Sequence, residues 1–304
     1  MVIDMSVVKT LLADLKRSGV DLMTVTEDVI KAEVIRQVVY KRADFISTGL
    51  KVVGVQEFDN LDVKFQFPSY MDVAYPVAEG ARAEHGKITW TEFTMSMGKA
   101  EGSFLITDEA TIRGLDKIQY NTGVRRLAEA LAKAKDENIL STLDAGAGQT
   151  IDCSLAAYDT PEEAIPAAIG KILQAKGVSD QDLRNIACIL PVAHWQKLLK
   201  LQTIKNVVTS LAEYFGETYG MRIYPTKYSG WTNEGIVLLT GADTAVHGVL
   251  RAPPGIPLVE TKRHEGVGTE YIVRQFFATK VIPESSTQTT SNRIVKLTNL
   301  DSWS

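Results

Sequence analysis

Four histidines and two cysteines are the side chains of this 304-residue sequence best suited to nucleophilic, acid–base or metal chemistry at neutral pH. A structural zinc site needs closely spaced Cys or His ligands, and a reactive thiol needs a base or cation beside it. Cys153 and Cys188 form neither a Cys-x-x-Cys pair nor part of a ligand cluster, and read as small buried thiols. His85 precedes Gly86 and reads as a solvated turn residue. His194 precedes Trp195 in a helical stretch and reads as packing or a cap. His247 falls in an alternating strand, and His264, between Lys262-Arg263 and Glu265, reads as surface loop. None has a Ser, Cys or second His nearby, although a triad gathered from distant residues stays open at this point. Phosphate loops and nucleophile elbows are absent, and Gly266-Val267-Gly268 lacks the strand before and helix after that a dinucleotide site requires. The sequence thus assigns no catalytic, cofactor-binding or metal residue.

Two acidic pairs carry position-dependent meaning. Asp108-Glu109 follows Thr107 and reads as the start of a helix, where the dipole favours anions. Asp136-Glu137 falls late in a long helical stretch, where the dipole disfavours them. That reads first as solvated surface and second as a sign of cationic partners.

The elements that must position these groups follow from periodicity. Val8, Leu11, Leu12 and Leu15 recur at helical spacing, and Thr24 with Glu27 forms a capping-box pattern before a second helix to about Tyr40. Val52 to Phe67 predicts strands. From Val73 to Ile106 four glycines punctuate an alternating run that predicts a long strand pair, polar on at least one face. A helix is predicted from about Asp116 to Leu143, with Val124, Leu127, Ala128, Leu131 and Ala134 as its apolar stripe and Gly146 past its end.

After Gly148 the pattern turns α/β-like. Thr160-Pro161-Glu162-Glu163 forms a capping-box pattern with Pro at N1 and opens a helix that runs to about Gly177, with Pro166 inside it. Ile186 to Leu190 reads as a short apolar strand, followed by helices to Leu201 and over Lys205 to Phe215. Strands are then predicted at Met221 to Tyr224, Ile236 to Thr240, Ala245 to Leu250, Leu258 to Lys262, Tyr271 to Ile282 and Arg293 to Thr298.

Bulk composition narrows the function classes. With 45% hydrophobic and 23% charged residues, the chain can bury a core without disulfides. Its formal net charge of −4, with basic runs no longer than pairs such as Lys41-Arg42 or the triplet Lys262-Arg263-His264, argues against gripping nucleic acid by its phosphates. Asp4, Lys9 and Asp14 interrupt the apolar residues of the first fifteen, so neither a signal peptide nor a membrane span is expected there. A protein made and kept in a reducing cytosol is expected.

The order of parts resembles the major capsid proteins of tailed phages and related archaeal viruses, the Hong Kong ninety-seven-like fold. Pro76-Val77-Ala78-Glu79-Gly80 resembles the start of that family's extended loop, followed by the Trp90/Phe93 strand. Ile106 to Ala110 looks like the beginning of its spine helix, and Leu127 to Gly146 is similar to the helix itself. Ile189-Leu190-Pro191 with Trp195 and Leu198-Leu199 resembles the strand-to-helix step of the axial lobe. Gly220 to Thr226 and Tyr271 to Pro283 are similar to two of its later strands.

The resemblance implies an α+β fold: an N-terminal arm over 1–50, a peripheral domain with spine helix over 51–74, 107–148 and 270–304, an extended β-hairpin loop over 75–106, and an α/β axial domain over 149–269. It implies a shell protein with no catalytic activity and no cofactor. That protein assembles with itself through pentamers and hexamers into an icosahedral head around double-stranded DNA. Scaffolding, portal and decoration proteins are possible further partners, and no membrane is involved. The expected location is the virion, with assembly in the host cytoplasm. Leu11, Leu12 and Leu15 of the arm, and Glu79, Arg82, Glu84, Lys87, Trp90, Glu92, Lys99 and Glu101 of the loop, are the implied intersubunit contacts. Their alternating charges suit register more than affinity. Deleting Tyr75 to Gly102 is expected to abolish assembly without unfolding the core. Three other readings share parts of this pattern: an encapsulin-type nanocompartment enclosing cargo protein, an α/β enzyme with a dispersed site, and a head-decoration or tail component.

Overall fold

The computed structural model describes residues 27–68, 90–175, 177–200, 202–204, 207–210, 215, 220–251, 258–284 and 288–303. The predicted helix at 8–15, the Thr24 cap and the tip of the extended loop lie outside them. The chain divides into two compact units. One is Met1–Ala43, Glu101–Glu129 and Pro257–Arg274; the other is Asp44–Ala100, Ala130–Ile256 and Gln275–Ser304.

In the first unit, helix α1 (Glu27–Ile46) forms despite its many β-branched residues. Ile35, Val39 and Ala43, spaced one turn apart, are all buried, and that stripe outweighs propensity. Strand β4 (Gly98–Thr107) leads into the short helix α2 (Asp108–Ile112) and the 30-residue helix α3 (Asp116–Ala145), about 45 Å long, of which 116–129 belong to this unit and 130–145 to the other. Thr107 caps α2 as its sequence predicts, its hydroxyl accepting from the Ala110 N–H at 3.2 Å. Strands β12 (Val259–His264) and β13 (Gly268–Val281) form an antiparallel hairpin, so His264 ends a strand rather than lying in a loop. Phe104 of β4 stacks on Tyr271 of β13 with ring centres 5.1 Å apart, and Tyr120 of α3 meets both rings edge-on.

The second unit carries a five-stranded sheet in the order β5-β14-β10-β6-β9. These are β5 (Ala147–Asp152), β6 (Ile186–Pro191), β9 (Arg222–Thr226), β10 (Glu234–Leu239) and β14 (Ser291–Thr298). Both faces are covered, which is why β6 reads as an unbroken apolar run. Cys188 and Leu190 pack with Ile165, Ala168 and Ile172 of helix α4 (Pro161–Leu173). Ala187 and Ile189, one residue out of phase, pack with Ile139, Leu140 and Leu143 of α3. Pro161 opens α4 at its first position, but the Thr160 hydroxyl makes no cap bond, so the capping box expected there is absent. Along α3 the buried stripe runs through Val124, Leu127, Ala128, Ala132, Ile139 and Leu143, while Leu131 and Ala134 are only half-buried.

A second sheet in this unit pairs β1 (Val53–Phe58) in parallel with β11 (Gly241–Leu250), which pairs antiparallel with residues 277–281 of β13. Two expectations are corrected. After helix α5 (Val192–Lys200), the start of the predicted Lys205–Phe215 helix is instead a strand, β8 (Val207–Ser210), in a small hairpin with β7 (Gln202–Ile204) just before it. The strand at β3 (Trp90–Ser96) pairs with β2 (Asp62–Pro68), and β4 pairs with β13. The legs of the ribbon are therefore 62–68 and 90–96, and the ribbon begins well before Tyr75.

Candidate assembly surface

The β2–β3 ribbon alternates as a half-buried pair should. Phe93 is half-buried and Met95 and Met97 are buried, while Glu92, Thr94 and Ser96 face solvent. Phe93 stands directly opposite Phe65, which meets Phe58 edge-on at 5.1 Å. On the solvent face Lys64 and Glu92 pair at 2.9 Å. The hydrogen bond and charge of Glu92 raise the Lys64 ammonium above its ordinary value, but both groups are exposed, so the pair sets register and adds little stability.

The residues implied as intersubunit contacts separate into three groups. Leu11, Leu12, Leu15, Glu79, Arg82, Glu84 and Lys87 lie outside the described residues. Trp90 opens β3. Glu92, Lys99 and Glu101 are exposed on β3 and β4, but two of them already hold cations of their own chain: Glu92 holds Lys64, and Glu101 accepts from Arg274 Nε at 2.6 Å. Arg274 also reaches Glu260 at 2.7 Å, and the two carboxylates raise its pKa while it lowers that of Glu260. Lys99 borders an open groove of about 400 Å³ with Glu137, Asn138, Ser141 and Phe277.

Sequence reading missed the groups that anchor α3. Asp136 accepts from the Ser47 hydroxyl at 2.6 Å and from the Gly49 and Thr48 N–H groups at 2.8 and 3.2 Å. It thereby caps the 3₁₀ turn Gly49–Lys51. Neither solvent nor a cation is the partner of Asp136, whereas Glu137 beside it pairs with Lys133 at 3.7 Å, as the second reading of the acidic pair has it. Lys135 beside it is only 1% exposed and pairs with Asp44. Also unforeseen are large aliphatics left in solvent, among them Ile112 and Ile118. For Ile118 the signal was present in sequence, since it falls off the apolar stripe of α3.

Among the described residues the histidines lie in separate places, while Cys153 and Cys188 share one buried core. His194 Nε2 lies 3.1 Å from Asp301 Oδ1 and His264 Nε2 lies 2.9 Å from Glu270 Oε2. His247 is fully buried against Thr279 and Phe277. Burial pushes the Cys153 thiol up to about 11 and the Cys188 thiol higher still, so both are inert packing groups. Among the described residues no cluster of three His, Cys, Asp or Glu could hold a metal ion, and no helix is long and apolar enough to cross a membrane. What the surface offers is a strand ribbon, a groove and exposed aliphatics, features suited to contact with protein.

No curated protein matches the chain. Among solved structures it is similar to the virus-like particle from Pyrococcus furiosus, with 13% identity and a TM-score of 0.60, over 87% of this chain and 98% of that one. It is similar to the capsid of a native GTA particle, with 9% identity and a TM-score of 0.58, over 84% and 90%. It is also similar to the capsid of the cyanophage P-SCSP1u, with 13% identity and a TM-score of 0.54, over 81% and 85%. At these identities the likeness is one of fold, the Hong Kong ninety-seven-like fold that the order of elements implies. A family model described as phage capsid protein matches residues 92–286, nearly two thirds of the chain, from the second ribbon strand through α3 and the α/β lobe to the end of β13. The chain belongs to the phage capsid protein family.

Proposed function

We propose that this major capsid protein closes its icosahedral shell through pentamers and hexamers, around double-stranded DNA that it does not bind by sequence. The family match over 92–286 carries the reading. The 149–269 lobe would point to the ring centre, the β2–β3 ribbon and the loop it leads to would lie over the neighbouring subunit, and the arm with Leu11, Leu12 and Leu15 would strap across adjacent copies. Rings of this kind close through heterologous contacts. A net charge of −4 supports confinement of DNA over adhesion to it. The role is structural, without catalysis; portal, scaffolding and decoration proteins are the further partners, and assembly takes place in the host cytoplasm.

Electron microscopy of the protein expressed alone, beside size-exclusion chromatography, tests the reading. Rings or closed particles are expected. A monomer or dimer under all salt conditions, with scaffold supplied, would sink it. The contents decide the variant of the reading: DNA supports a virion head, and a docked protein cargo an encapsulin-type compartment. The loop is tested by replacing residues 69–89 with a short Gly-Ser turn. The wider deletion of 75–102 is unsuitable because it removes β3 and the first half of β4. The shortened chain is expected to keep its melting temperature and lose assembly.

A further inference from the structure

The five-stranded sheet of the second unit is covered on both faces, so its end strands, β5 and β9, are where another chain could extend it. An open end strand presents N–H and C=O groups that pair with any extended backbone. Within a strand the N–H and C=O of one residue point the same way, and successive residues alternate. The Cys153 N–H donates to the Thr298 carbonyl at 3.0 Å, and the Thr298 hydroxyl donates to the Ile151 carbonyl at 3.3 Å. Odd-numbered residues of β5 therefore face β14, and Gly148, Thr150 and Asp152 turn their backbone groups outward.

That outward row is occupied from within. Lys171, in the last turn of α4, donates its ammonium to the Thr150 carbonyl at 2.9 Å. Gln149 Nε2 reaches the Lys171 carbonyl at 3.4 Å and so ties the helix end to the strand. The Leu155 N–H takes the Asp152 carbonyl at 3.3 Å and folds the end of the strand into a turn. Two of the three outward carbonyls are thus taken by the chain itself. A visiting strand would have to strip the ammonium from Thr150 and leave the charge beside newly buried backbone, which is costly. The opposite end uses a different device. Pro225 stands opposite Leu190 in the parallel pair of β9 with β6. A proline cannot donate into a ladder, so its nitrogen faces the open side, together with the backbone of Ile223. From 223 to 225 one outward donor remains where a ladder needs one at every second residue.

We infer that Lys171 and Pro225 are edge guards, which keep this sheet from pairing edge to edge with the sheet of a second copy. Their action belongs to the single subunit, whether or not it forms a shell. Crowded copies of the lobe then meet through loops and side chains rather than through one continuous sheet.

Lys171→Ala with Pro225→Val opens both edges, while Lys171→Arg keeps a donor for Thr150. The full-length proteins are incubated as unassembled subunits and followed by thioflavin fluorescence and light scattering. The double variant should keep the circular dichroism of the parent and associate several-fold faster, into thioflavin-positive species. Lys171→Arg should behave as the parent. A double variant as dispersed as the parent overturns the inference, and so does Lys171→Arg associating as fast as the double variant. Hydrogen exchange answers the question even if the double variant is less stable. The Thr150 and Ile223 amides should exchange fast in the parent subunit and become protected in the associated double variant. Associated protein in which neither amide is protected has joined through another surface, which overturns the inference. Protection of both amides in the parent subunit overturns it too, because both edges would then already be covered.

Discussion

Asp136 of α3 accepts the Ser47 hydroxyl at 2.6 Å, and through its two oxygens it also holds the Gly49 and Thr48 N–H groups, so one carboxylate caps the turn that follows α1. Ser47 and Gly49 are buried, and removing the acceptor strands donors that water cannot reach. Asp136→Ala should cost about 2–4 kcal/mol in urea unfolding of the unassembled subunit. Asp136→Asn keeps one oxygen acceptor and should cost less, and Ser47→Ala about 1 kcal/mol. Equal losses for Asn and Ala would refute the capping role.

How far the sequence carried the fold depends on the competition between period and residue type. β6 was legible because an apolar run with covered faces has few alternatives. The spine helix was legible to within two residues at its end, since thirty residues of helical period leave little ambiguity. The hairpin at 202–210 was not. Ile204, Val207, Val208 and Leu211 repeat at helical spacing, yet Thr203, Ile204, Val207, Val208 and Thr209 are β-branched and favour strands. Here residue type won over period.

Close approach of strands makes a contrast between two glycines. A Cβ at Gly54 would stand 2.5 Å from Ala242 Cα, part of the backbone of the paired strand, at a register shift between β1 and β11. At Gly248 it would meet Met95 Cε at 2.2 Å, the free end of a flexible side chain. Gly54→Ala should therefore cost about 1–3 kcal/mol and Gly248→Ala clearly less, measured by thermal or urea unfolding. The reverse order would contradict the register of β1 on β11.

The candidate surface was less legible than the fold. A lysine on a helix ordinarily reads as solvated, and nothing near Lys135 in sequence announces Asp44, its partner 91 positions away. The pair, buried on the Lys135 side only, has an asymmetric prediction. Lys135→Met removes the buried charge and leaves Asp44 half-exposed and able to hydrate, so stability should change by less than about 1 kcal/mol. Asp44→Ala strands a buried ammonium and should cost about 3 kcal/mol or more. Unfolding of both variants under the same conditions checks the difference.

Lys135 also bears on His247. Thr279 donates its hydroxyl to Asn138 Oδ1 at 2.8 Å, so it must accept from His247 Nδ1–H at 2.9 Å. That leaves Nε2 bare, buried and without a hydrogen-bond partner. Burial first, and the Lys135 charge second, lower the His247 pKa to about 3 from 6.5. Between those values the unfolded chain binds the proton and the folded chain does not. Stability must therefore fall as pH falls from about 6.5 toward 3, by up to ~1.4 kcal/mol per pH unit for this one group. In urea unfolding of unassembled subunits from pH 7 to 4, His247→Gln should lose up to one proton from the slope of stability against pH. In Lys135→Met the His247 resonance followed by NMR should titrate at a higher pH than in the parent, because one of the two causes is gone. Parallel slopes for His247→Gln and the parent would mean that His247 already binds its proton when folded, and a bare, buried Nε2 would then be the wrong assignment.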